Sequence, residues 1–270
     1  MFAIRYLLKD IYRSLRTANG RRLIWLFAKY GDVPRYTPKT ISFLNFTFLV
    51  PDCMSFTFQF KEIFVDEFYQ FKAASSTPLI YDCGANIGTS CAYFKNIYPQ
   101  SKIKAFEADN KIAQILEQNL KINHLKDVEV INKAVWTNDE GIYFASEGSD
   151  AASIYGEGEK IKVESVRLKN LLDKESHIDM LKMDIEGAET EVIRDCKDSL
   201  AHIQNIFIEY HSFPDQAQHL GEILDILTRS GFRYFVDSPQ TTHTPLTNRK
   251  LYNGGMDLQL NISVTVLKKA

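Results

Sequence analysis

Two acids, Asp82 and Glu107, stand where apolar segments of strand type break off, and the loop between them carries glycine at both ends. The first segment runs Leu79-Ile80-Tyr81-Asp82, the loop Cys83-Gly84-Ala85-Asn86-Ile87-Gly88, and the second segment Ile103-Lys104-Ala105-Phe106-Glu107. This order opens a doubly wound nucleotide-binding sheet, whose ligands sit beyond the carboxyl ends of the strands. A pyrophosphate loop must present bare amides and positive potential to an anion. Asp82 instead puts a carboxylate at the first strand tip, and the third glycine of the G-x-G-x-x-G dinucleotide fingerprint is missing: Gly84 and Gly88 are present, but Asn86 and Thr89 fill the other slots. That carboxylate repels pyrophosphate and attracts the ammonium and sulfonium groups of S-adenosylmethionine. Gly84 and Gly88 are expected to let the backbone approach the ligand, whose carboxylate takes loop amides at the helix N-terminus. Glu107 is expected to accept hydrogen bonds from two ribose hydroxyls.

Two more strand ends point at the same crevice. The segment Ile178-Asp179-Met180-Leu181-Lys182-Met183-Asp184-Ile185-Glu186-Gly187-Ala188-Glu189 carries an apolar strand into two acids just before a helix. Acids there are often helix caps, but at this position a carboxylate can also orient or deprotonate an acceptor. The segment Ile206-Phe207-Ile208-Glu209-Tyr210-His211-Ser212 ends another strand in polar groups. His211, of ordinary pKa near neutrality, is the leading general base, with Asp184 second and Glu209 orienting it or binding the acceptor. A divalent ion on Asp184, Glu186, Glu209 and His211 is chemically allowed, but no local spacing demands it, and no metal is expected.

The elements that must hold these residues read as βα repeats from Pro78 onward. Strands are expected at 79–82, 102–107, 128–134, 178–183, 205–210, 232–237 and 258–267, and helices near 89–97, 110–122, 187–199 and 216–230. The expected class is α/β: a doubly wound, mostly parallel, seven-stranded Rossmann-like sheet with an antiparallel closing strand. A hairpin of Ile142-Tyr143-Phe144 with Ile161 to Arg167 interrupts the repeat around a Gly- and Ser-rich loop. Residues 78–270 form this domain and residues 1–77 an N-terminal helical and β-hairpin extension. In the extension, residues 1–17 read as a basic amphipathic helix. Ile41 to Val50 reads as one strand, Pro51-Asp52 as its turn, and Phe56 to Phe60 as a partner of period two. Nine of the 18 phenylalanines lie between positions 43 and 71, an aromatic density that points to a packing surface.

Bulk properties narrow the partners. The chain of 270 residues is 45% hydrophobic and 24% charged, an ordinary globular composition, with net charge −2. Residues 1–30 carry seven basic side chains and one acid, so +6 sits there and −8 elsewhere. A nucleic-acid partner is not expected, since the acidic remainder lacks a basic stripe. Peripheral contact of residues 1–17 with an anionic membrane is a specific alternative to docking on the core. Four cysteines without metal-type or CxxC spacing suit a cytoplasmic location, and no apolar run is long enough to span a bilayer.

The motifs Tyr81-Asp82-Cys83-Gly84-Ala85-Asn86-Ile87-Gly88-Thr89-Ser90, Ala105-Phe106-Glu107, Asn119-Leu120-Lys121-Ile122-Asn123, Asn132-Lys133-Ala134-Val135, Leu181 to Glu189 and Glu209-Tyr210-His211 together resemble the FkbM-type S-adenosylmethionine-dependent methyltransferases. The resemblance covers roughly residues 78–237, and Lys-x-Asp-x-Glu-Gly-x-Glu is its most specific piece. It implies a class I methyltransferase fold and O-methylation of a hydroxyl, often on a sugar, glycan or secondary metabolite. By position it implies donor binding by Asp82, Gly84, Ala85, Asn86, Gly88, Glu107 and Ala134, and places Asp184, Glu186 and His211 near methyl transfer. Ala108 stands where the family usually has proline, which loosens that turn. The competing readings are an NAD-dependent oxidoreductase and a methyltransferase-fold binding module without activity.

Overall fold

The computed structural model describes residues 15–145, 160–239 and 255–266, together with 246, 247 and 251. Residues 1–14 of the expected basic helix, 146–159 of the Gly- and Ser-rich loop, and most of the 240–254 loop lie outside the described residues.

Thr17 caps α1 (Ala18–Tyr30), its hydroxyl accepting from Gly20 N. The hairpin that follows is tighter than the sequence suggests. β1 (Lys39–Phe43) pairs antiparallel with β2 (Phe46–Val50) across a turn at Leu44, whose φ is 48°. The expected strand at Phe56 to Phe60 is instead α2 (Cys53–Phe60), extended by a π-helical turn at Lys61–Val65. Asp52 decides this: its carboxylate accepts from Ser55 N at 2.9 Å and caps the helix rather than closing a hairpin. Phe56, Phe60 and Phe64 then fall at helical spacing and are buried, while Phe58 is left exposed. The period-two phenylalanines were compatible with either element; the cap selects the helix.

These rings pack into one hydrophobic cluster with the first strands of the main sheet. Phe64 meets Tyr93 edge-on at 5.4 Å, and Tyr69 meets Phe207 at 4.8 Å.

The main unit follows in order: β3 (Leu79–Cys83), α3 (Thr89–Ile97), β4 (Lys102–Phe106), α4 (Asn110–Ile122) and β5 (Val128–Ile131). The strand expected at 128–134 stops at Ile131. Ala134 starts β6 (Ala134–Trp136), outside the main sheet. β7 (Ile142–Ala145) and β8 (Lys160–Val163) form the expected antiparallel hairpin, and β9 (Ser165–Arg167) pairs with β6 instead. After α5 (Leu168–Leu172) come β10 (Met180–Met183), α6 (Glu189–Cys196), β11 (Asn205–Ser212), α7 (Leu220–Arg229), β12 (Phe232–Asp237) and β13 (Leu258–Val266). The seven-stranded order is β12-β13-β11-β10-β3-β4-β5, with β13 antiparallel to both neighbours and the other pairings parallel. The strand order reverses between β3 and β10, which opens a crevice at their carboxyl ends.

Asn119 of α4 and Asn123, the residue that caps its C-terminus, fasten the hairpin to this sheet. Asn119 accepts from Leu49 N and donates to the carbonyls of Leu49 and Ile87, while Asn123 accepts from Thr47 N and donates to Thr47 O. Their amides satisfy backbone groups along the free edge of β2, the role a further strand would otherwise fill. Asn119→Ala leaves three backbone groups without these partners, the buried Ile87 carbonyl and both groups of the partly buried Leu49. We expect a loss of about 2–3 kcal/mol, read as a lower urea midpoint at unchanged m-value.

Candidate functional site

The glycine loop is built inward. Gly84 has φ of 81°, and a Cβ there would lie 1.8 Å from the carbonyl oxygen of Asp184, so glycine lets the tips of β3 and β10 meet. Gly88, φ 91°, begins α3, and a Cβ would strike Leu116 at 2.6 Å. The close approach expected toward a ligand is thus an approach of the protein to itself. Every loop amide is also spent internally. Gly84 N and Ala85 N donate to Phe106 O, Asn86 N to Glu107 Oε2, Ile87 N to Asn86 Oδ1, and Gly88 N to Ala85 O. The amides of residues 84–88 are therefore engaged within the protein, and what these bonds leave for a ligand carboxylate is the first turn of α3.

Asp82 is likewise more interior than expected, with no exposed surface. Ser90 donates to its Oδ2 at 2.5 Å, and Lys182 Nζ lies 3.6 Å from Oδ1, an oxygen without a hydrogen-bond partner. Lys182 is 2% exposed and donates to Gly84 O at 2.6 Å and Cys83 O at 3.3 Å, with Asp184 Oδ2 at 3.2 Å. Burial alone would lower its pKa; Asp184, Tyr69 and Asp82 outweigh that and hold it well above the usual lysine value. The charge read as an open anionic lure is a buried ion pair. Its lysine was passed over in the sequence, although a lone lysine inside the apolar run Met180 to Met183 is the signal that marks a paired interior charge.

Glu107 is partly buried at the tip of β4. Its Oε2 accepts from Asn86 N and its Oε1 from Asp109 N, each bond using one of two lone pairs. Burial pushes its pKa up to about 7, against the opposing pull of those two amides. Asn132 supplies what Ala108 lacks in place of proline, donating to the carbonyls of Glu107 and Ala108 and fixing the turn. Ala134 is buried, its N–H given to Glu164 O in the side ribbon, so its backbone donor is already taken.

Across the crevice, β10 and β11 bring Asp184, Glu186, Glu209 and His211 together. His211 Nδ1 lies 3.0 Å from Glu189 Oε1, and Nε2 lies 3.5 Å from Glu209 and 3.9 Å from Glu186. Burial would lower the imidazole pKa, but Glu189 and Glu186 outweigh it and raise it well above the ordinary value. The expectation of His211 as general base is corrected accordingly: both ring nitrogens face carboxylates, and no lone pair is left for a substrate proton. Glu189, which sequence reading left without a role, is 1% exposed at its side chain and also accepts from Ile185 N and Gly187 N. It fixes the loop on which Glu186 sits at φ 55°.

Burial and crowding raise the remaining acids. Glu186 reaches about 8, mainly by burial, eased by His211 and reinforced by Asp184 and Glu209. Glu209 is raised by burial and by Asp184. Glu62, on the π-helical turn of the extension, is raised to about 8 by burial and by Glu209 and Asp184. A sequence alone could not assign Glu62 to this site, because only the fold of Phe56 to Phe64 brings it there. The arrangement can bind cations and hydroxyl groups and can accept a proton.

The family model described as the methyltransferase FkbM domain matches residues 82–234, which include Glu107, Asp184, Glu186, Glu209 and His211. The chain is 30% identical over 195 residues to methyltransferase sdnD of Sordaria araneosa, covering 58% of this chain and 75% of that protein. It is 25% identical over 206 residues to methyltransferase 1 of Beauveria bassiana, covering 66% and 82%. Among solved structures, the methyltransferase FkbM of Methylobacillus flagellatus aligns at a TM-score of 0.47 and 17% identity, over 72% of this chain and 45% of that one, so the chain spans under half of that structure's length. The matched strands, loop and strand-end acids are one continuous unit, and the chain belongs to the FkbM methyltransferase family.

Proposed function

We propose that the protein uses S-adenosylmethionine to methylate a hydroxyl group of a sugar, glycan or glycolipid. The observation that carries this reading is the division of the crevice. On one side the glycine loop has no free amide for a phosphate, while Glu107 keeps spare lone pairs for a ribose diol. On the other, Asp184, Glu186 and Glu209 offer acceptors for hydroxyl protons. The same division disfavours an NAD-dependent oxidoreductase, whose pyrophosphate needs those amides.

Bound there, S-adenosylmethionine supplies a methyl group already activated on its sulfonium for direct displacement by an acceptor oxygen. The protein's part is to position and desolvate. Glu107 orients the donor through its ribose. His211 holds the carboxylates in place, and Glu209 or Asp184 takes the hydroxyl proton. A base of this kind adds about 10²–10⁴-fold. Glu209→Gln combined with Asp184→Asn is expected to lower kcat by that factor while leaving S-adenosylhomocysteine affinity unchanged. Labelled-donor assays against host glycan and lipid extracts test both acceptor class and activity. Thermal shifts with S-adenosylhomocysteine but not NADH are expected; a shift with NADH alone would end the methyl-donor reading. A shift with S-adenosylhomocysteine and no labelled product in any extract would favour the binding-module alternative.

A peripheral membrane contact fits the exposed face of α1. Ile24, Trp25 and Phe27 are 46%, 45% and 37% exposed there, beside Arg21, Arg22 and Lys29, and Phe27 meets the exposed Phe58 at 5.9 Å. Among the described residues no helix is long and apolar enough to cross a membrane. Basic residues beside apolar ones suit an anionic bilayer surface. Sedimentation with phosphatidylserine vesicles is expected to drop at least severalfold for Ile24→Glu/Trp25→Glu; equal sedimentation of variant and wild type removes the proposal.

A further inference from the structure

We propose that Asp184, Glu186 and His211 Nε2 form a binding site for one divalent metal ion of the manganese or magnesium class. The proposal deepens the reading above and takes its catalytic meaning from it. One ligand atom from each of these residues lies within 4.8 Å of the others. The imidazole is set as a ligand is set. Glu189, itself buried, engages Nδ1 at 3.0 Å, which fixes the ring and directs Nε2 toward Glu186 and Glu209. A carboxylate behind a histidine in this way is the usual outer support of a metal-bound imidazole.

A second observation lies one strand away. Asn261 of β13 stands opposite Glu209 in the antiparallel ladder, on the same face of the sheet as Glu209 and His211. It is 4% exposed, and its amide oxygen has no hydrogen-bond partner. A buried neutral oxygen without a donor, on the residue paired across the ladder with Glu209, is an acceptor in want of a cation or a coordinated water. Lys182 is the other cationic side chain at this cluster, 3.2 Å from Asp184 Oδ2, and leaves Glu186, Glu209 and the Nε2 side of His211 to the ion. Two carboxylates and one imidazole, with positions open to oxygen, match a hard divalent ion better than a soft one.

Such an ion would take the place of a proton at Nε2 and draw two neighbouring hydroxyls of a sugar into its coordination shell. One hydroxyl, made more acidic by the ion, would pass its proton to Glu209 as its oxygen bonds to the methyl carbon and the methyl–sulfonium bond breaks, leaving S-adenosylhomocysteine. Carbohydrate acceptors with adjacent hydroxyls are thereby preferred to simple alcohols.

The test uses the full-length protein, stripped with EDTA and titrated with MnCl2, with the six-line spectrum of free Mn²⁺ as readout. One ion per chain is expected. His211→Ala, Glu186→Gln and Glu189→Gln should each weaken it roughly 10–100-fold, and Glu107→Gln should not. Circular dichroism melts check that each variant folds; Glu186→Gln, a near-isosteric change at a partly exposed position, decides if His211→Ala does not. If S-adenosylhomocysteine stabilises the protein but Mn²⁺ stays free, the metal site is wrong and the donor reading stands. Binding that survives all three substitutions equally overturns the site as well.

Discussion

Lys182→Met will lower the melting temperature by roughly 6–20 °C. Removing one partner of a buried pair costs about 3–5 kcal/mol, and a chain of this size loses about 2–4 °C per kcal/mol. The cause is specific. Lys182 gives its ammonium to Gly84 O and Cys83 O and faces Asp82 and Asp184, so methionine strands a fully buried carboxylate and two carbonyls at the point where β3 meets β10. Asp82→Asn in the Lys182→Met background should recover part of the loss, because the stranded charge disappears with it. Differential scanning calorimetry of the two single variants and the double supplies the cycle. A loss under about 1 kcal/mol for Lys182→Met would mean the pair does not fasten the strand tips.

That pair also explains what the sequence conceals. The regular strands and helices from Leu79 onward were legible because apolar runs, helix stripes and glycine punctuation all agree there. The strand-end residues Asp184, Glu186, Glu209 and His211 were legible for the same reason: a parallel sheet carries its strand ends to one edge. Their states were not. Whether Asp82 is an open charge depends on Lys182, a hundred residues away in sequence and adjacent only through the pairing of β3 with β10. Whether His211 can accept a proton depends on Glu186 of the β10–α6 loop and Glu189 at the start of α6, both of which reach its ring. The phenylalanine-rich segment failed for a local reason. Period two and a period near four share Phe56 and Phe60, and the deciding signal was the cap at Asp52.

With Asp82 held in an ion pair, the proposed donor reading rests on Glu107, and Glu107→Ala is expected to weaken S-adenosylhomocysteine binding by roughly 10–150-fold, the worth of about 1.5–3 kcal/mol for hydrogen bonds to a charged acceptor. Its pKa near 7 adds a signature that a structural residue would not show. The ionised carboxylate accepts from both ribose hydroxyls, whereas the protonated form spends one oxygen as a donor. Affinity in the wild type should therefore rise roughly tenfold between pH 6 and pH 8 and level off above. Glu107→Gln should remove both the gain and the slope. Stability of the free protein moves the opposite way. Its folded form still holds a proton that the unfolded chain releases near pH 4.5, so the contribution of Glu107 declines as pH rises from about 4.5 to about 7. Calorimetric titration of wild type and Glu107→Gln across this range separates the two effects. A wild-type affinity that is flat from pH 6 to pH 8, or a glutamine variant that binds as tightly, would show that the ribose is held elsewhere.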